Sequence, residues 1–256
     1  TISPFAAGLL WFAVEGARTI LISGTRGAGK TSLLTALMLM MMKRYRIITV
    51  EDTLEIPSDS FTSLGYDILP LKVQSAITGE KGELSADEGL RTTLRLGDSA
   101  LIIGEVRSTE ARALYEAMRV GALSNVVMGT IHGENPYGVF DRVVNELGVP
   151  RTSFKATDLI VSVNKIRTID RLTEKRRVLG ITEVRKDWVN DPKYEGGFVD
   201  LATYDIKKDS INPTNQLLDG DSEIVKSIAS NVKEWAGNWD AVLENIETRG
   251  EILKSL

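Results

Sequence analysis

Residues 24–31 read Gly24-Thr25-Arg26-Gly27-Ala28-Gly29-Lys30-Thr31, and few folds can hold such an octet where this chain puts it. It satisfies G-x-x-x-x-G-K-[ST] and sits between a short β-rich apolar run over 18–23 and an apolar helical pattern over 31–42. The glycines let the backbone curl so that successive N–H groups converge on a phosphate, and the following helix adds the positive end of its dipole. Lys30 would reach the β- and γ-phosphate oxygens, Thr31 would offer its hydroxyl to Mg2+, and Ser32 continues the loop into the helix. A chance glycine loop is the competing reading, and the strand before it and the helix after it argue against that.

The rest of the chain repeats the alternation. Apolar runs over 46–50, 100–103, 125–131 and 158–163 read as buried strands. Helical patterns occupy 5–15, opened by Ser3-Pro4, then 85–96 and 108–120, whereas 57–82 reads as irregular. Such alternation predicts an α/β fold with a mostly parallel central sheet. From 177 onward the pattern changes to two strand-like runs, 178–189 and 198–207, joined by a turn-rich segment that predicts an antiparallel hairpin. The tail over 221–256 has helical periodicity interrupted at Gly237-Asn238, so two helices are expected to pack on the main body. The expected division is a nucleotide-binding domain over 1–190 and a C-terminal hairpin strand with a two-helix appendage over 191–256.

Composition narrows the function. With 43% hydrophobic and 26% charged residues the chain is neither disordered nor fibrous. Its 31 basic and 35 acidic residues give a net charge of −4, which argues against a nucleic-acid-coating surface. Cysteine is absent, which excludes disulfides and thiolate metal sites and suits a reducing, cytoplasmic setting. The chain opens at Thr1 without a signal-peptide pattern, consistent with a piece of a longer protein. Its longest apolar stretches fall short of the ~20 residues of a bilayer span. Met38, Met40, Met41 and Met42 suggest helix packing rather than a metal site.

A phosphate loop alone does not separate motor ATPases from GTPases or nucleotide kinases. The nearest approach to a guanine-reading Asn-Lys-x-Asp is Asn164-Lys165-Ile166-Arg167, where arginine replaces the acid. Nothing resembles a mobile arginine-rich lid over a phosphate acceptor. Glu105, at the end of Ile102-Ile103-Gly104, stands where a Walker B acid holds Mg2+, although a glutamate after a strand is commonplace.

Together these residues resemble the C-terminal catalytic domain of the secretion ATPase superfamily, which serves type II secretion, type IV pilus and archaellum assembly. Four boxes carry the resemblance over residues 1 to about 190. They are the Walker A at 24–32, the aspartate box Thr49-Val50-Glu51-Asp52-Thr53-Leu54-Glu55, the Walker B at 100–107 and the histidine box Gly129-Thr130-Ile131-His132-Gly133. Val50-Glu51-Asp52-Thr53 and Leu94-Arg95-Leu96-Gly97-Asp98 resemble the archaeal branch, and the bacterial four-cysteine zinc insert is missing.

The resemblance implies a RecA-like P-loop NTPase that hydrolyses ATP with Mg2+. Glu55 would polarise the attacking water, Glu51 and Asp52 would shape the metal and water network, and Thr31 and Glu105 would bind Mg2+. Arg91 and Arg95 would be arginine fingers, with two solvated helix arginines as the plainer alternative. Arg107 is similar to them, or pairs with an adjacent acid. His132, the one histidine of the chain, would sense the γ-phosphate. Family members pair this domain with an N-terminal domain absent from these 256 residues. They assemble as homohexamers and work at the cytoplasmic membrane face through a polytopic membrane partner, without inserting into the membrane themselves. The alternatives are a RecA-like nucleic-acid translocase and a nucleotide-gated scaffold with little turnover. The sequence does not say which filament or cargo is served.

Overall fold

The computed structural model describes residues 1–73, 99–108, 110–119, 126–167 and 173–256. The expected helix over 85–96, with Arg91 and Arg95, lies outside the described residues. The chain runs through α1 (Pro4–Glu15), β1 (Thr19–Ser23), α2 (Lys30–Met38), β2 (Arg46–Glu51), α3 (Ser58–Ser63) and β3 (Asp67–Lys72). It continues with β4 (Ser99–Val106), α4 (Glu110–Arg119), β5 (Val127–Ile131), α5 (Pro136–Asp141), a wider π-type turn over Arg142–Glu146, α6 (Arg151–Phe154) and β6 (Leu159–Arg167). The last elements are β7 (Glu174–Val184), β8 (Phe198–Asp205), β9 (Ser210–Pro213), α7 (Asn215–Leu218), α8 (Glu223–Ala229) and α9 (Trp239–Ser255).

The strands form one sheet in the order β3-β2-β4-β5-β1-β6-β7-β8-β9. Pairings from β3 through β6 are parallel and those from β6 to β9 antiparallel, which is the mostly parallel α/β sheet expected from the alternation. The boundary expected at residue 190 falls in the connection between β7 and β8, which pair in the same sheet. Alternation along the strands divides the apolar residues between two cores. Ile20 and Ile22 join α1, α2, α8 and α9 on one face, while Leu21 joins α4, Phe140, Phe154 and Trp188 on the other. Met38 and Met41 are packed in the first core. No described helix is long and apolar enough to cross a membrane.

Three segments depart from expectation for local reasons. α2 stops at Met38, because Met40 and Met41 donate to Leu37 and Met38 in i→i−3 turns that swing Met41 into the core. The stretch read as irregular contains α3 and β3. β3 is a mostly exposed strand at the edge of the described sheet with Pro70 inside it, so it shows no buried alternation, and among the described residues it pairs with β2 alone. β7 ends at Val184, short of 189, because the chain then curls so that Trp188 is buried and donates its indole N–H to the Arg185 carbonyl.

The two tail helices pack as expected. Glu183, fully buried in β7, accepts from the Ser222 hydroxyl and from the amides of Glu223 (3.0 Å) and Ile224 (3.3 Å), while Arg185 pairs with it at 2.8 Å. A buried carboxylate at the N-terminus of α8 is thereby compensated by donors and the helix dipole. α9 crosses α1 so closely that a Cβ on Gly8 would lie 2.1 Å from the Ile246 carbonyl oxygen. Backbone cannot move aside as a side chain can, so Gly8→Val should destabilise by about 1–3 kcal/mol or more. That lowers the melting temperature by about 2–4 °C per kcal/mol. A thermal melt unchanged from the parent would refute the close crossing.

Candidate active site

Open parallel sheets present ligands at the carboxyl ends of their strands, and four such ends gather here. β1, β5, β4 and β2 are adjacent in that order and finish at Ser23, Ile131, Val106 and Glu51. The loop after β1 has two residues in the left-handed region, Gly27 at φ 73° and Gly29 at φ 97°, where a side chain would be strained. Gly24 serves a different need, since a Cβ there would meet the Val163 carbonyl oxygen at 2.2 Å. Ala28 is buried in the first core, and Thr25 donates its hydroxyl to Asn164 Oδ1 at 2.9 Å, so both turn away from the loop's mouth.

Lys30 opens α2 and is 8% exposed. Its ammonium donates to the carbonyls of Gly24 and Thr25, each at 3.1 Å, so one side chain cross-braces the loop. Burial lowers its pKa, and the carboxylates of Glu105 and Glu55 pull in the opposite direction. Thr31 donates its hydroxyl to Glu55 Oε2 at 2.9 Å, linking the loop to the segment after β2.

That segment is held from below by Glu51. This glutamate is 2% exposed, and its Oε1 accepts from the amides of Glu55 (3.0 Å) and Ile56 (3.1 Å). Burial raises the Glu51 pKa against the lowering effect of those two amides. It acts as the internal cap of a turn that presents Glu55 to Thr31. Gly104 of β4 makes room for it, since a Cβ there would sit 2.9 Å from Glu51 Cγ.

Glu105 reaches the cavity through a β-bulge. Ile103 pairs with Gly129 and Val106 with Ile131, so Gly104 and Glu105 together face Thr130. Strict alternation would have sent Glu105 into the apolar core with Leu101 and Ile103; the bulge gives that position to Val106 and turns Glu105 to the sheet edge. There Glu105 Oε2 accepts from Arg107, and Glu105 Oε1 lies 2.8 Å from His132 Nε2. Arg107 also reaches Asp52 Oδ2 at 2.9 Å, tying the end of β4 to the end of β2. Burial works against the Arg107 charge, but its bond to Glu105 and the charges of Glu105, Asp52 and Glu55 outweigh it and raise its pKa. Arg107 thus pairs with acids from two strand ends.

These groups line a cavity of about 760 Å³, a size suited to a small-molecule ligand. Arg26, Gly27, Gly29, Lys30, Thr31 and Ser32 form one wall, Glu51, Asp52, Glu55, Glu105 and Arg107 the other, with His132 at the junction. Gly24, Thr25 and Ala28 shape the loop from behind. Sequence reasoning missed one lining residue, Arg176. It belongs to no phosphate-loop motif; the only local signal is its place in the basic run Lys175-Arg176-Arg177.

The family model described as type II/IV secretion system protein matches residues 7–202, well over half of the chain. An uncharacterised protein of Methanocaldococcus jannaschii is 28% identical over 260 residues, covering all of this chain and 88% of that one. The competence protein ComGA of Halalkalibacterium halodurans is 32% identical, covering 51% of this chain, which spans only 34% of it. Among solved structures, the VirB11 ATPase of the Brucella suis type IV secretion system shares the fold at a TM-score of 0.55 and 22% identity, over 69% of this chain and 51% of that one.

Proposed function

Because this chain belongs to the type II/IV secretion system protein family, we propose that it is a Mg2+-dependent ATPase whose turnover drives protein secretion or assembly of a pilus-like filament. One observation carries the reading: the phosphate loop, Glu55, Glu105 and His132 line a single cavity at the carboxyl edge of the sheet. A polyphosphate lies against the cationic wall and its terminal group faces the acidic one. The family match favours this over a nucleic-acid translocase.

In this reading the loop amides, the α2 N-terminus and Lys30 bind the β- and γ-phosphates and offset the charge that builds on them during in-line attack. Glu55, anchored through its own amide to Glu51 and through Oε2 to Thr31, orients the attacking water and takes its proton. His132, against Glu105, senses the γ-phosphate. The oxygen donors that line this cavity, a threonine hydroxyl and carboxylates, suit a hard cation that keeps waters and phosphates among its ligands, and they fit Mg2+. Thr31 and Glu105 would hold it, and when bound it neutralises phosphate charge and orients the chain of phosphates.

The whole-chain likeness to the Methanocaldococcus jannaschii protein supports an archaeal type of motor. We extend the reading to a homohexamer at the cytoplasmic face of a membrane, acting through a polytopic membrane protein. Its test is ATP titration and phosphate release by this chain with Mg2+ and with chelator. Binding with metal-dependent release is expected, and a chain that neither binds nor hydrolyses ATP overturns the proposal.

A further inference from the structure

β6 runs on to Arg167, five residues past Ser162, which pairs with the end of β1 at Ser23. The paired start of β7 therefore overhangs the phosphate loop, with Arg176 opposite Lys165 in the ladder. Alternation sorts the basic run at this point. Lys175 and Arg177 leave one face and both reach Asp209, at 3.5 Å and 2.6 Å. Arg176, between them, leaves the other face and donates its Nε to the Gly27 carbonyl at 3.0 Å.

Gly29 of the loop is fitted to this contact. A Cβ on Gly29 would lie 3.2 Å from Arg176 Cδ, tighter than ordinary contact, so the missing side chain lets the arginine stem cross the loop. Most of the neighbouring cations have partners: Lys165 and Arg167 pair with Glu174, Arg107 with Glu105 and Asp52, and the Lys30 ammonium with two loop carbonyls, whereas Arg26, on the same cavity wall, is joined to the loop by no such contact as Arg176 makes. Among the described residues no carboxylate pairs with Arg176, which is exposed and lines the cavity. With Nε committed to Gly27, the guanidinium keeps its terminal NH2 groups for a second acceptor in the same plane, a geometry matched to phosphate oxygens and unavailable to lysine.

We propose that Arg176 is a phosphate-binding residue of the nucleotide site, delivered in cis by the β6–β7 hairpin, which grips the phosphate loop by Nε and the bound polyphosphate by its terminal nitrogens. The inference rests on the nucleotide reading above.

Calorimetric titration of the chain with ATP and with tripolyphosphate, for the parent and for Arg176→Ala, Arg176→Gln and Lys30→Ala, tests it. Arg176→Ala should weaken both ligands by about 10- to 100-fold, the effect of losing hydrogen bonds to a charged partner. Because the side chain is exposed, the melt without ligand should stay at the parent value. Arg176→Gln keeps a donor for Gly27 but no charge, and should lose as much as alanine. Affinities within about two-fold of the parent in Arg176→Ala overturn the inference. So does a glutamine variant that binds like the parent, which would leave only a loop-bracing role. So does a loss for ATP without a loss for tripolyphosphate, which would move the contact to sugar or base. A parent that binds neither ligand overturns the nucleotide reading as well, whereas a parent that binds, a Lys30→Ala that does not and an Arg176→Ala that does overturn this inference alone.

Discussion

Lys30→Ala should abolish measurable ATP binding by this chain. The ammonium is almost wholly buried at the start of α2 and donates to the carbonyls of Gly24 and Thr25, so it acts twice. It fixes the curl of the loop, and in the proposed reading it supplies positive charge to the β- and γ-phosphates. A charge-assisted hydrogen bond contributes about 1.5–3 kcal/mol, and losing two brings about 3 kcal/mol or more, a fall in affinity of at least ~100-fold. The fold should tolerate the change, because burial already disfavours the charged lysine, as its lowered pKa records. Titration with ATP alongside a thermal melt separates the two effects. A variant that melts normally and binds ATP as the parent does would remove the phosphate loop from the site.

Glu55→Gln should keep binding and lose turnover. Glutamine has the same shape, and its amide oxygen can still accept from the Thr31 hydroxyl, while the turn remains held by the Glu51 carboxylate on the amides of residues 55 and 56. What disappears is a base able to take a proton from water, a loss of about 10²- to 10⁴-fold in rate. Phosphate release measured at saturating ATP reads the rate, and titration reads the affinity. Normal hydrolysis by Glu55→Gln would assign the base to another group, and Asp52, across the same wall, would be the next to replace.

Much of the fold was legible because its signals are local. Each central strand, β1, β2, β4 and β5, is built around a short apolar run whose residues are buried in the two cores, and such a run reads as a strand without its neighbours. The tail helices announced themselves through periodic apolar positions and through the break at Gly237-Asn238, where Asn238 caps α9. β3 was not legible. Its pairing with β2 supplies the reason for it to be extended, and its own residues, with Pro70 among them, carry no alternation to mark it. The four-residue β9 and α7 are too short to leave a periodic signature.

The site divides along the same line. By itself the sequence determined the phosphate loop, because its shape depends on backbone freedom at Gly27 and Gly29 and on a helix beginning at Lys30, all within eight residues. It also marked Glu105 by its place at the end of an apolar strand, and, through the resemblance to the family's boxes, Glu55 and His132. Only the tertiary structure decided where those groups point. Glu105 faces the cavity because β4 and β5 pair with a bulge that exchanges it with Val106, Glu55 is offered to Thr31 because Glu51 is buried beneath Gly104, and Arg176 reaches Gly27 across 149 residues of chain. The physical reason is that a side chain's direction in a sheet is set by register, and register belongs to pairs of strands.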